Sequence, residues 1–147
     1  MSLKEKLMED LKASMKNKDK VRKNTVTMIK AAVTQLEVDN RVALTDDDVI
    51  GIIAKQVKQK KDSIGDFKAG NREDLVTLTE EEIAILTEYL PEQLSLEALE
   101  EIVVNAIKET NAQTKKDMGK IMGKIMPLIK GKADGKQVNE IVSKYLS

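Results

Sequence analysis

The sequence predicts an all-α protein, with a helical amino-terminal domain over 1–92 followed by a small three-helix domain over 93–147. Three observations predict this. Apolar residues recur at helical spacing in one segment after another, and no segment alternates with period two. The 147 residues are 41% hydrophobic and 34% charged, and only Phe67, Tyr89 and Tyr145 are aromatic, so the core must be aliphatic. Serine, threonine and aspartate stand just ahead of the apolar stripes, where helices need caps.

Ser2 with Glu5 fits a capping box, and Leu3, Leu7, Leu11 and Met15 follow as a stripe. A break around Asn17–Asp19 leads to a second stripe through Val21, Thr25, Met28, Ile29, Ala32, Val33 and Leu36. Thr45 before Asp46, Asp47 and Asp48 places a cap and three acids on the positive end of a third helix. That helix carries Val49, Ile53, Val57, Ile64 and Phe67 and stops at Gly70-Asn71. Residues 72–78 read as a short helical turn, with Thr79 and Glu82 opening a further small helix.

Pro91 drives Leu90 out of the α region, which makes Tyr89-Leu90-Pro91 the strongest break and the place for a domain boundary. Ser95 then caps a helix bearing Leu96, Leu99, Ile102, Val103, Ala106 and Ile107. Thr114 with Asp117 opens the next helix, and Asp134 with Gln137 opens the last, with Gly131 just past the end of the helix between.

Composition excludes much chemistry. There is no cysteine and no histidine, hence no disulfide, no thiolate ligand and none of the commonest general bases. No nucleophile elbow and no phosphate-binding P-loop occur. The acid runs Asp46–Asp48 and Glu80–Glu82 are explained by helix starts, where adjacent side chains do not converge on an ion. No catalytic residue, metal or cofactor is expected, and the chain reads as a binding or accessory module. No apolar run approaches the roughly 20 residues that span a bilayer, so no membrane partner is expected. Charged residues near the amino terminus break up any signal-peptide core, which leaves the cytoplasm as the default location.

Net charge is zero but unevenly spread: residues 1–72 carry +5, residues 73–110 carry −10 and residues 111–147 carry +5. Basic ends point to a polyanionic partner, and the acidic stretch 73–110 to a possible protein contact. Lys16, Lys18, Lys20, Arg22 and Lys23 form one basic cluster, and Lys55, Lys58, Lys60 and Lys61 another.

The most informative segment repeats Met-Gly-Lys-Ile at 118–121 and 122–125. On a wheel of about 100° per residue with Gly119 at the origin, the Ile and Met side chains cover one face between about 200° and 340°. Lys116, Lys120 and Lys124 fall near 60°, 100° and 140°, and Gly119 and Gly123 lie beside them near 0° and 40°. Two readings compete. Small residues four apart admit a neighbouring helix, the reading that spacing alone favours. Alternatively, glycines let a phosphate backbone approach while the lysines supply charge. Pro127 predicts a kink or an early helix end, and Lys130, Gly131, Lys132 and Lys136 form a basic turn into the last helix. That turn is a potential anion site, with Asp134 competing as N-cap, or a plain connection. Aromatic interleaving is absent, so nucleic-acid contact would be to shape and phosphate.

These residues also carry a resemblance. Leu7-x-x-Asp10-x-Lys12-x-x-Met15-Lys16, Tyr89-Leu90-Pro91-x-Gln93-Leu94-Ser95, Asp117-Met118-Gly119-Lys120-Ile121-Met122-Gly123 and Gly131-Lys132-Ala133-Asp134-Gly135-x-x-Val138-Asn139 occur in the order seen in the YqeY family. That family is similar to the tail of the B subunit of the tRNA-dependent glutamyl/aspartyl amidotransferase. The resemblance implies helices followed by a three-helix tail domain that helps hold tRNA. An accessory module binding tRNA or another structured RNA is thus expected, through Lys116, Gly119, Lys120, Gly123, Lys124, Lys130, Lys132 and Lys136. The alternatives are a component of a glutamine-dependent carbon–nitrogen ligase, active only within a complex, and a protein-interaction module.

Overall fold

The structure, a computed structural model, describes residues 2–146. Among the described residues it contains seven α-helices and no strand. The chain divides into two compact units, Met1–Leu90 and Pro91–Ser147.

The first unit holds α1 (Leu3–Lys16), α2 (Lys20–Asn40), α3 (Asp46–Ala69) and α4 (Glu73–Thr87). Its core is aliphatic, with Leu7, Ile29, Val49, Ile53 and Leu86 all but sealed from water and Tyr89 joining them. Val26, outside the predicted stripe, is sealed as well, whereas Met15, Met28 and Leu36 of the predicted stripes are exposed. Local chemistry sets the starts. The Ser2 hydroxyl accepts from the Glu5 amide at 3.2 Å, and Glu5 accepts from the Ser2 amide at 3.4 Å. Thr45 and Asp48 make the same reciprocal pair on α3. Asp46 has a tertiary role, accepting from the amide of Leu3 at 3.1 Å and so tying the start of α1 to that of α3. Asp19 caps α2 by accepting from the Arg22 amide at 3.1 Å. Asn71, at φ 58°, takes the left-handed position that turns the chain after α3.

Residues 72–78 do not form a separate turn. One helix, α4, runs from Glu73 to Thr87, and Thr79 lies inside it. The Thr79 side chain is buried, and its hydroxyl donates to the carbonyl of Leu75 at 2.7 Å. A threonine hydroxyl satisfies itself equally by capping or by bonding four residues back, so its sequence context does not separate the two.

The second unit holds α5 (Leu96–Thr110), a 3₁₀ turn (Lys115–Asp117), α6 (Met118–Ile129) and α7 (Gly135–Tyr145). Ser95 caps α5 through the Ala98 amide at 3.1 Å. Leu99, Val103, Ile121, Ile125, Ile129, Val138 and Val142 fill its core, one stripe from each helix. α6 continues through Pro127 and ends two residues later at Ile129, so the proline falls in its last turn. Pro127 and Gly123 are both exposed, so water can serve the Gly123 carbonyl that the proline leaves without a donor.

Candidate nucleic-acid interface

The face of α6 that the wheel assigns to solvent is at the surface. Gly119, Lys120, Gly123 and Lys124 are exposed, while Ile121, Ile125 and Ile129 on the opposite side are sealed. A Cβ added at Gly119 or Gly123 would meet nothing within 4 Å. Among the described residues no helix packs into the glycine strip, so the packing reading has no partner for it. Lys116 stands in the 3₁₀ turn before α6, also exposed. The structure thus sets Lys116, Lys120 and Lys124 along one segment, each about 6 Å further along the axis where the helix is regular.

Lys124 is not wholly available. It pairs with Glu109 near the end of α5, with side chains 44% and 57% exposed. An ion pair this exposed contributes at most about 1 kcal/mol, so a stronger anion can displace it. Glu109 is a member of the site that sequence reasoning missed, because its pairing is tertiary and leaves no local pattern. No ion pair engages Lys116, Lys120, Lys130, Lys132 or Lys136 among the described residues.

The loop after α6 is pinned rather than loose. Gly131 is buried at φ 74°, a conformation that glycine adopts without steric penalty. Its carbonyl accepts from Gln93 Nε2 at 2.7 Å, and the same nitrogen donates to the Pro91 carbonyl at 3.0 Å. The Leu94 amide donates to the Lys132 carbonyl at 2.9 Å. Two of the four motifs, Leu90-Pro91-x-Gln93-Leu94 and Gly131-Lys132, are therefore one contact, and Gln93 is the residue that makes it. Lys130 and Lys132 flank the fixed Gly131 in the chain, and both are exposed. At the start of α7, Asp134 accepts from the Lys136 amide at 3.0 Å. Its carboxylate holds the place where an anion would sit at that helix end, so the turn contributes lysine side chains rather than backbone donors.

Of the acid runs, Asp46 and Asp48 bind backbone amides at the start of α3, but Glu80–Glu82 lie inside α4 rather than at a helix start. Glu82 pairs with Lys60 at 3.1 Å, and Glu80 and Glu81 are exposed. Among the described residues no helix is long and apolar enough to cross a membrane.

Comparison with known proteins gives this fold its kin. The family model for YqeY, Yqey-like protein, matches residues 4–146. The protein named altered inheritance of mitochondria protein 41, mitochondrial, from Vanderwaltozyma polyspora is 32% identical over 112 residues, which cover 76% of this chain and 60% of that protein. Its namesake from Kluyveromyces lactis is 38% identical over 84 residues, covering 56% and 45% of the two chains. That from Pyrenophora tritici-repentis is 31% identical over 144 residues, covering 93% and 79%. The match thus takes in 60% and 45% of the length of the first two relatives. Their names overturn the expectation of a cytoplasmic location, since these relatives are named as mitochondrial proteins. A model match over nearly the whole length, together with the helical fold, establishes that the chain belongs to the YqeY family.

Proposed function

We propose that this chain is an accessory module that binds structured RNA, tRNA first, through the solvent face of α6 and the loop that follows it. The observation that carries the reading is the pairing of an open glycine strip with exposed lysines. Nothing lies within 4 Å of an added Cβ at Gly119 or Gly123, and Lys116, Lys120 and Lys124 run beside them. A phosphate backbone needs both features, room to approach and charge to neutralise. Lys130, Lys132 and Lys136 extend the basic surface from a loop whose backbone is already fixed, so little ordering is required when an anion arrives.

Titration with tRNA across salt tests this. If about four phosphates are neutralised, log affinity falls against log salt with a slope of about −3 to −4. Reversing charge at Lys120 and Lys124 weakens binding and flattens that slope. No binding at low salt, or binding indifferent to the reversal, refutes the proposal.

A second reading, contact with a basic protein surface through residues 73–110, is favoured by the exposure of Glu80, Glu81, Glu97, Glu100 and Glu101. Salt-sensitive association in ultracentrifugation supports it, and a strict monomer at every salt concentration with no partner in pull-downs counts against it.

A further inference from the structure

The first unit carries a basic surface of its own, distinct in composition from the α6 face. At the turn joining α1 to α2, Lys16, Lys18, Lys20 and Lys23 are exposed, and none of them has an ion-pair partner among the described residues. The acid of the turn, Asp19, is already engaged. It accepts from the Arg22 amide at 3.1 Å and pairs with the Arg22 guanidinium at 3.6 Å. Arg22 in turn is held by Glu88 at 2.7 Å, so it faces the unit rather than a ligand. The tip therefore presents uncompensated positive charge. Of the other acids on α1, Asp10 accepts from the Tyr89 hydroxyl. Glu9 and Glu5 lie about 10 Å or more along the axis from Lys16, level with Met8, where the exposed Lys12 one turn on and Lys30, whose ammonium donates to the Met8 sulfur at 3.3 Å, offset them.

Charge alone would fit any polyanion. A second observation separates the candidates. Met8 and Met15 stand one heptad apart on the same face of α1, 42% and 50% exposed. An exposed thioether gains nothing from phosphate or from a base edge, but it gains on transfer to an apolar medium. Lysines beside flexible apolar anchors on a helix form the pattern that lies in a bilayer interface, apolar groups at the acyl boundary and ammonium groups among anionic headgroups. The expectation of no membrane partner rests on spanning length, which an interfacial contact does not require, and the exposure of the methionines is what the fold adds to the basic cluster.

We propose that the α1–α2 turn is a docking surface for an anionic bilayer, with Lys16, Lys18, Lys20 and Lys23 on lipid phosphates and Met8 and Met15 inserted at the interface. The proposal is independent of the RNA reading and uses none of its residues. Cosedimentation of the full chain with vesicles tests it, comparing pure phosphatidylcholine with equal parts phosphatidylcholine and phosphatidylglycerol. Binding is expected to the mixed vesicles at low salt and not to the neutral ones. Lys16→Glu/Lys18→Glu/Lys20→Glu is expected to lower partitioning about a hundredfold. Met8→Ser/Met15→Ser is expected to lower it about fivefold with the salt dependence unchanged. These are surface positions, and circular dichroism verifies that each variant keeps its helices. Lys120→Glu/Lys124→Glu should bind vesicles as the parent does. The proposal is overturned if the mixed vesicles are not bound, if the tip or methionine changes leave binding unaltered, or if the tip changes abolish tRNA binding while vesicle binding persists.

Discussion

Replacing Gly119 and Gly123 by alanine separates the two readings of the glycine strip. Both glycines are exposed, and an added Cβ would meet nothing within 4 Å at either. No steric cost therefore opposes the entropic gain of removing glycine from a helix, about 0.5–1 kcal/mol at an interior position. Gly123 is such a position, whereas Gly119 is the second residue of α6, where the gain is smaller. The pair should stabilise the fold by about 1 kcal/mol. With an unfolding entropy of about 2.1 cal/mol/K per residue, that raises Tm by about 8 °C if the unit Pro91–Ser147 melts alone, and by about 3 °C if the whole chain melts together. Differential scanning calorimetry reads the difference. The functional half uses glutamine, a good helix former that adds bulk without charge. Gly119→Gln/Gly123→Gln should keep the fold and weaken tRNA binding about tenfold, a loss of about 1.4 kcal/mol as the backbone is held off the lysines. A fall in Tm for the alanine pair would mean that the glycines pack against something and that the strip is not open. Unaltered tRNA affinity in the glutamine pair would remove the strip from the RNA-binding surface.

Other substitutions probe the parts that position these surfaces. Gln93→Ala removes both donors to the Pro91 and Gly131 carbonyls and should cost about 1 kcal/mol, with faster amide exchange at Leu94, whose bond to Lys132 shares the same contact; unaltered exchange would show that Gln93 does not pin the loop. Tyr89→Phe removes the hydroxyl that donates to Asp10 and should cost about 1–2 kcal/mol in denaturant unfolding. Burial, then the bond to Asp10, raises the Tyr89 phenol above its ordinary value of 10.0, so the unfolded chain loses this proton first. Stability from Tyr89 is thus complete below about pH 10 and declines as pH rises beyond it, a decline that the Tyr89→Phe variant lacks. Lys6 sits over the Tyr89 ring at 5.4 Å, and the substitution keeps that ring, so the difference between the two proteins isolates the phenol. Thr79→Val should change stability by less than about 1 kcal/mol, because the hydroxyl serves only the Leu75 carbonyl within one helix; a loss of about 2 kcal/mol, as for a lost N-cap, would restore a break at that position.

What the sequence disclosed follows the range of the forces involved. Ser2, Thr45, Ser95 and Asp134 were legible as caps because each satisfies an amide two or three residues away. The aliphatic stripes were legible because a helix that buries one face must repeat at its own period. Gln93 shows no role in the sequence, since its acceptor at Gly131 lies 38 residues away. Glu109 carried no signal at all. The glycine strip is the instructive case. A wheel assigns Gly119 and Gly123 to a side of the helix, but whether a neighbour occupies that side is a tertiary fact, and spacing alone favours a neighbour that none of the described residues supplies.

The exposed strip also bounds what such a surface could discriminate. Its polar groups are lysine ammoniums, point charges that take phosphate from many directions and do not read a base edge as a planar, bidentate group does. Neither tyrosine nor phenylalanine lies in α6 or in the loop after it, so stacking on an unpaired base has no platform there. On the RNA reading, then, selection rests on spacing: a row along α6 and a second set of lysines from a loop fixed at Gly131 demand phosphates in a matching three-dimensional arrangement. Folded RNA meets that demand and a flexible strand must be ordered to meet it, an entropic cost that favours the prefolded ligand. Glu109 tightens the demand, because an anion reaching Lys124 must first compete with a carboxylate already in place.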